Sequence, residues 1–103
     1  GKLRFYKENG LLELGKGTLK ITVADKKSSI TIDDKGAITI DSKDGLTLSA
    51  TKDVTIKGAN VKIEGQQKVD VKAGTKATVE SSAGTAVKSS AITEIKGSMV
   101  KVN

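Results

Sequence analysis

The chain has 103 residues and a net charge of +6, with one Phe, one Tyr, one Met and no Trp. That length holds one domain at most, and a self-contained sandwich core would normally lean on more aromatic bulk. Cys and His are both absent, which excludes disulfides and thiolate sites and removes the commonest general base and metal ligand at neutral pH.

Ile, Val and Thr supply most of the body and favour strands over helices. Pro is also absent, which suits strands that pair on both edges, since Pro would remove a ladder donor. A thin core shared between several chains fits this composition. No apolar run approaches the length of a membrane span and no charged-then-apolar leader is present, so no signal peptide is expected. The opening residues look like an internal cut from a longer chain. Lysines are spread along the chain and often alternate with Asp or Glu, the pattern of a solvated surface. A nucleic-acid groove needs clustered basic residues and aromatic platforms; only Phe5 and Tyr6 offer any, and no nucleic-acid partner is expected.

Residues 1–20 read as a transition from a preceding domain. Leu3 and Phe5, Leu12 and Leu14, and then Ile21 and Val23 form pairs separated by one residue, at a step of nine. Asn9-Gly10 is either a hairpin or a corner with an extra residue. Gly10, Gly15 and Gly17 mark this stretch as the place for irregular backbone.

Residues 21–103 read as one β-helical domain of stacked strand-and-turn units, and from Ile30 the pattern tightens. Side chains at i and i+2 share one face of a strand. The pairs Ile30/Ile32, Ile38/Ile40, Leu46/Leu48, Val54/Ile56, Val61/Ile63 and Val69/Val71 are followed by Ala77/Val79, Thr85/Val87, Thr93/Ile95 and Val100/Val102. Their second members step by eight, except for steps of seven after Ile56 and Ile95. A regular step of this kind is the mark of a repeat architecture. Thr31, Thr39, Thr47 and Thr55 lie between pair members and are expected to face outward, as are Lys62, Asp70, Thr78, Glu94 and Lys101. Asp33 to Gly36, Asp41 to Gly45, Ala73-Gly74 and Ser81 to Gly84 carry turn residues. The two short units share one sequence, Ile56-Lys57-Gly58-Ala59-Asn60-Val61-Lys62-Ile63 and Ile95-Lys96-Gly97-Ser98-Met99-Val100-Lys101-Val102, and a tight corner at each glycine accounts for the lost residue.

Eight extended residues reach roughly 26 Å. That covers about one face of a triangular core and does not close a single-chain coil. Three identical chains, each one face out of phase, fill every level and leave no lateral edge open. The expected fold is therefore all-β, a homotrimeric, intertwined triple-stranded β-helix (a triangular β-prism) with octad repeats, roughly 50 Å long at about 4.8 Å per strand. The competing arrangement is an antiparallel meander or sandwich, with Asn9-Gly10 and Asp44-Gly45 as hairpins. The near-constant step speaks against it, because hairpin loops vary in length. In the trimer the first pair members line the axis and shrink from Ile30, Ile38 and Leu46 to Ala77, Thr85 and Thr93. Inward threonine hydroxyls need partners, whether across chains or through an axial water or ion. No dedicated cofactor is expected, and lipid in the axis is left open.

The repeated I-T-I and V-x-[IV] pairs, the two K-G-x-x-V-K-[IV] units and the final V-K-V-N resemble the C-terminal β-helix of central spike proteins. These are the VgrG proteins of type VI secretion, the spikes of contractile phage tails and their relatives in extracellular injection particles. The resemblance covers about residues 20–103. It implies a structural spike pushed through a target-cell envelope as part of a phage tail or secretion particle, joined to tail-tube and hub proteins through preceding domains. Some phage spikes bind iron through histidines at their own tip, which this sequence lacks. The secretion-type relatives receive a PAAR-repeat tip protein instead. The resemblance places such docking by strand addition at Met99, Val100, Val102 and Asn103, with plain trimer-end packing as the other reading. A tail-fibre or adhesin stalk shares the fold and is the alternative function; a chain that stops after its last strand leaves no room for a receptor-binding head.

No catalytic constellation stands out, and no enzyme activity is expected. Asp33-Asp34, Asp41 and Asp44 lie in turn segments beside lysines. Ser28-Ser29, Ser81-Ser82 and Ser89-Ser90 have no His partner. Gly15-Lys16-Gly17-Thr18 lacks the spacing of a phosphate-binding loop.

Overall fold

A computed structural model of the chain describes residues 3–7, 10–23 and 27–103. The fold is all-β: the described residues contain five strands and no helix. The chain divides into two units, Gly1–Val61 and Lys62–Asn103.

The first unit carries the sheet. Strands β1 (Leu3–Lys7), β2 (Gly10–Gly15), β3 (Thr18–Val23), β4 (Ser28–Ile32) and β5 (Ile38–Ser42) lie side by side in chain order, each antiparallel to the next. Alternation along each strand sorts the side chains onto two faces. One transverse row runs Phe5, Leu12, Ile21, Ile30, Ile40, and the next runs Leu3, Leu14, Leu19, Ile32, Ile38. The opposite face carries Arg4, Glu13, Lys20, Thr31 and Thr39 in one row. There the Arg4 Nε donates to the Glu13 Oε2 at 2.6 Å, across the β1–β2 ladder.

Local chemistry sets the reversals. Gly15 pairs with Thr18, leaving Lys16 and Gly17 as the β2–β3 turn. Gly17 has φ +70°, the left-handed region that glycine tolerates, and a Cβ there would meet the Asp34 Cβ at 3.0 Å. Between β4 and β5, Asp33 organises the loop. Its Oδ1 accepts from the Lys35 and Ala37 amides at 2.9 Å each, and its own amide donates to the Ala37 carbonyl at 3.0 Å. Gly36, at φ +86°, closes the same loop by donating to the Asp33 carbonyl at 3.1 Å.

Two expectations change here. The opening stretch is not irregular: Gly10 and Gly15 lie within β2, and only Gly17 sits in a turn. The pairing of Lys7 with Gly10 makes the first reversal a hairpin rather than a corner, although Asn9 itself lies outside the described residues. The second change concerns the first two tightened pairs. Ile30 faces Ile40 and Ile32 faces Ile38 within one chain, so residues 30–42 belong to a meander and do not begin separate levels. A five-residue loop built on Asp33 turns the chain back on itself where the even step of eight predicted a corner.

Beyond β5 the ladder stops. The Lys43 amide donates to the Lys27 carbonyl at 2.8 Å. Among the described residues, no backbone amide after Lys43 donates to a backbone carbonyl, and no carbonyl after it accepts from one. The remainder of the first unit bends at Lys43–Asp44, Thr51–Lys52 and Ala59–Asn60. The second unit bends at Gln66–Gln67, Gly74–Thr75, Ser82–Ala83, Ser90–Ala91 and Ser98–Met99. Within each unit these bends recur every eight residues.

Candidate assembly and docking surfaces

No apolar side chain is buried among the described residues. Thr22, at 7% exposure, is the one buried residue described, and its Oγ1 has no hydrogen-bond partner. It sits in the central strand between Leu11 and Ser29. Most of the apolar surface of the described residues is therefore open to solvent, and its hydrophobic driving force is unspent. The residues expected to form a shared core are all open to solvent from β5 onward: Ile38, Ile40, Leu46, Leu48, Val54, Ile56, Val61 and Ile63, then Val69, Val71, Val79, Val87 and Ile95. Ile30 is exposed too, and Ile32 is half-buried in the sheet. On the apolar face, a shallow hollow of about 220 Å³ is lined by Ile21, Val23, Ile30, Ile40 and Leu46 among others.

A third position completes the eight pairs from Ile38/Ile40 to Thr93/Ile95. Two residues after the second members of these pairs stand Ser42, Ala50, Gly58, Gly65, Ala73, Ser81, Ser89 and Gly97, each immediately before a bend. All are small. At three corners the serine hydroxyl holds the turn. Ser42 Oγ accepts from the Asp44 amide at 3.3 Å and donates to the Gly45 carbonyl at 2.9 Å. Ser81 Oγ accepts from the Ala83 and Gly84 amides at 3.3 and 3.1 Å, and Ser89 Oγ from the Ala91 amide at 3.0 Å. The glycines act through space instead: a Cβ on Gly58 would stand 3.1 Å from the Asn60 carbonyl oxygen. On Gly65 it would run into the Lys68 carbonyl oxygen. The sequence reading caught the pairs and the corner glycines Gly58 and Gly97, and missed that a small third member recurs in the other six units. Scanning i, i+2, i+4 triplets instead of i, i+2 pairs would have found it.

The polar groups offer little chemistry. Asp33 is taken up by its own loop, and Asp41 pairs with Lys43 at 3.1 Å. Lys68–Asp70 at 3.3 Å and Lys96–Glu94 at 2.8 Å are exposed pairs two residues apart. Gly15-Lys16-Gly17-Thr18 forms the β2–β3 hairpin. Among the described residues no group of His, Cys, Asp or Glu side chains is arranged to hold a metal, and no helix is long and apolar enough to cross a membrane. The expected docking residues Met99, Val100 and Val102 are 74%, 53% and 89% exposed, and Asn103 is exposed beside them.

In comparisons with known proteins, the chain matches no family model and no curated protein.

Proposed function

We propose that three copies of this chain wind into a triple-stranded β-helix that serves as the rigid, membrane-piercing spike of a contractile injection apparatus. The observation that carries this reading is the state of residues 44–103. Their apolar pairs are exposed, their backbone makes no in-chain ladder among the described residues, and their bends recur every eight residues within each unit. Backbone without ladder partners and open apolar side chains call for a partner with matching spacing, and a copy of the same chain has it by construction. In the trimer the apolar pairs of all three copies meet at the axis, and each small residue sits where the walls of the prism converge.

The function then follows from stiffness and shape, not from chemistry. Such a rod resists buckling because every lateral edge is paired, and it unfolds only by separating all three chains, which makes it kinetically stable. The resemblance to central spikes supplies the setting: a phage tail or secretion particle, hub proteins on one side and a target envelope on the other. The segment Met99–Asn103 receives a PAAR-type tip protein by strand addition.

The test has two parts. Native mass by light scattering is expected at three times 10.7 kDa; a monomer mass overturns the trimer. Mixing the rod with PAAR-repeat proteins is expected to give a complex that removal of residues 100–103 abolishes. Unchanged binding after that removal overturns the docking assignment.

A further inference from the structure

We infer that the corner at Asp44-Gly45 is a site of spontaneous isomerisation, at which the folded protein converts Asp44 to isoaspartate. The site needs only this corner and not the trimeric assembly.

The chemistry is a ring closure between neighbours. The Gly45 nitrogen bonds to the Asp44 Cγ, and the amide proton leaves with the carboxyl hydroxyl as water, giving a five-membered succinimide. Water then opens the ring. Attack at Cγ restores aspartate. Attack at the main-chain carbonyl carbon leaves the chain running through Cγ, one methylene longer. One water leaves and one returns, so no oxidant, enzyme or cofactor takes part. The closure needs a carboxyl group without partners, a backbone nitrogen without an acceptor, and no side chain on the second residue to block the approach.

Asp44 and Gly45 meet all three conditions, and both are exposed. Among the described residues no group donates to the Asp44 carboxylate, and the Gly45 amide donates to none. Ser42 Oγ pins the corner by accepting from the Asp44 amide at 3.3 Å and donating to the Gly45 carbonyl at 2.9 Å, so neither bond occupies a reacting group. The other described aspartates each fail one condition. Asp33 Oδ1 is held by two amides, and one of these is the Lys35 nitrogen that Asp34 would need. Asp41 lies in β5 with its carboxylate on Lys43 at 3.1 Å. Asp53 and Asp70 precede Val54 and Val71, whose branched side chains crowd the nitrogen. The added methylene falls between β5 and the Leu46/Leu48 pair. It carries the Gly45 carbonyl away from Ser42 Oγ, and the corner loses the bond that pins it.

The test is to incubate the full chain in heavy-oxygen water at mildly acidic pH, both native and in urea, and then digest it with trypsin in ordinary water. Cleavage after Lys43 and Lys52 isolates residues 44–52, in which Asp44 is the one Asp or Asn. Asp41, Asp53 and Asp70 fall in other peptides, as does Asn9, which also precedes a glycine. The native chain is expected to yield a second form of the 44–52 peptide, with a different retention, one heavy oxygen and a methyl-accepting site for protein isoaspartyl methyltransferase. It should form several-fold faster than the corresponding products at Asp41, Asp53 or Asp70, and at a rate close to that in urea. Gly45 lacks a positive φ and has open space at its Cβ position, so Gly45→Ala keeps the fold; it is expected to slow the reaction several-fold at unchanged native mass. A 44–52 peptide that reacts in urea and stays unlabelled in the native chain overturns the site, whether the native mass is that of a trimer or a monomer. Equal rates in Gly45→Ala and the parent overturn the ring-closure route. A native monomer mass with isomerisation intact overturns the trimer and leaves this site standing.

Discussion

A Cβ on Gly97 would stand 3.0 Å from the carbonyl oxygen of Met99, and Gly58 stands in the same relation to Asn60 at 3.1 Å. These are the glycines of the two seven-residue units, and the chain turns tightly enough there for a backbone oxygen to fill the space a side chain would need, as it also does at Gly65 in an eight-residue unit. The expected outcome of Gly97→Ala or Gly58→Ala is a loss of roughly 0.5–3 kcal/mol per chain. Gly84, with nothing within 4 Å of its Cβ position, is the control: Gly84→Ala is expected to be neutral or to stabilise by about 0.4–1 kcal/mol. Thermal unfolding of the three variants at one protein concentration checks this, and equal losses at all three would refute it.

Inward and outward positions should respond very differently to truncation. Leu48 and Thr47 are neighbours, and the proposed trimer puts only Leu48 at its axis. Leu48→Ala is expected to cost about 2–5 kcal/mol per copy, and Thr47→Ala less than about 0.5 kcal/mol. The proposed trimer also requires the midpoint of unfolding to rise with protein concentration. A Leu48→Ala variant as stable as the parent would remove the shared core.

The Asp33 loop is expected to matter more than its exposure implies. Two amides, those of Lys35 and Ala37, depend on Asp33 Oδ1 at 2.9 Å, and hydrogen bonds to a charged acceptor contribute about 1.5–3 kcal/mol each at most. Asp33→Ala should destabilise the β4–β5 hairpin by about 1–3 kcal/mol. Asp33→Asn keeps an acceptor in place and should recover part of that loss. Amide hydrogen exchange across Ser28–Ser42 reads the effect directly; protection unchanged in Asp33→Ala would show that the loop is held by other contacts.

The surface ion pairs should be nearly silent. Lys68–Asp70 and Lys96–Glu94 hold their ends at 78%/60% and 84%/63% exposure, where such pairs contribute little and are screened by salt. Removing either pair, or raising the salt concentration, is expected to leave the unfolding temperature almost unchanged. A steep salt dependence would mean that charge, not apolar packing, carries the stability.

Much of the candidate assembly surface was legible from spacing alone. Alternation is a property of the single strand, so Leu46 and Leu48, or Val69 and Val71, could be assigned to one face with no knowledge of what lies beside them. The corners were legible for a similar local reason, since Asp, Ser and Gly satisfy or relax a turn from within it. Ser42, Ala50 and their successors went unread because a small residue carries no periodic signal of its own; only its place before a bend gives it meaning.

By itself, then, the sequence determined an all-β chain, the shared face of paired residues such as Leu12 and Leu14 or Ile38 and Ile40, and several of the places where the backbone turns. Only the tertiary structure decided that the first five strands run antiparallel to one another. An i, i+2 pair looks the same whichever way its neighbour runs, whereas strand direction depends on how the loops close. Here Gly17 at positive φ and the hydrogen-bonded Asp33 loop fold the chain back on itself.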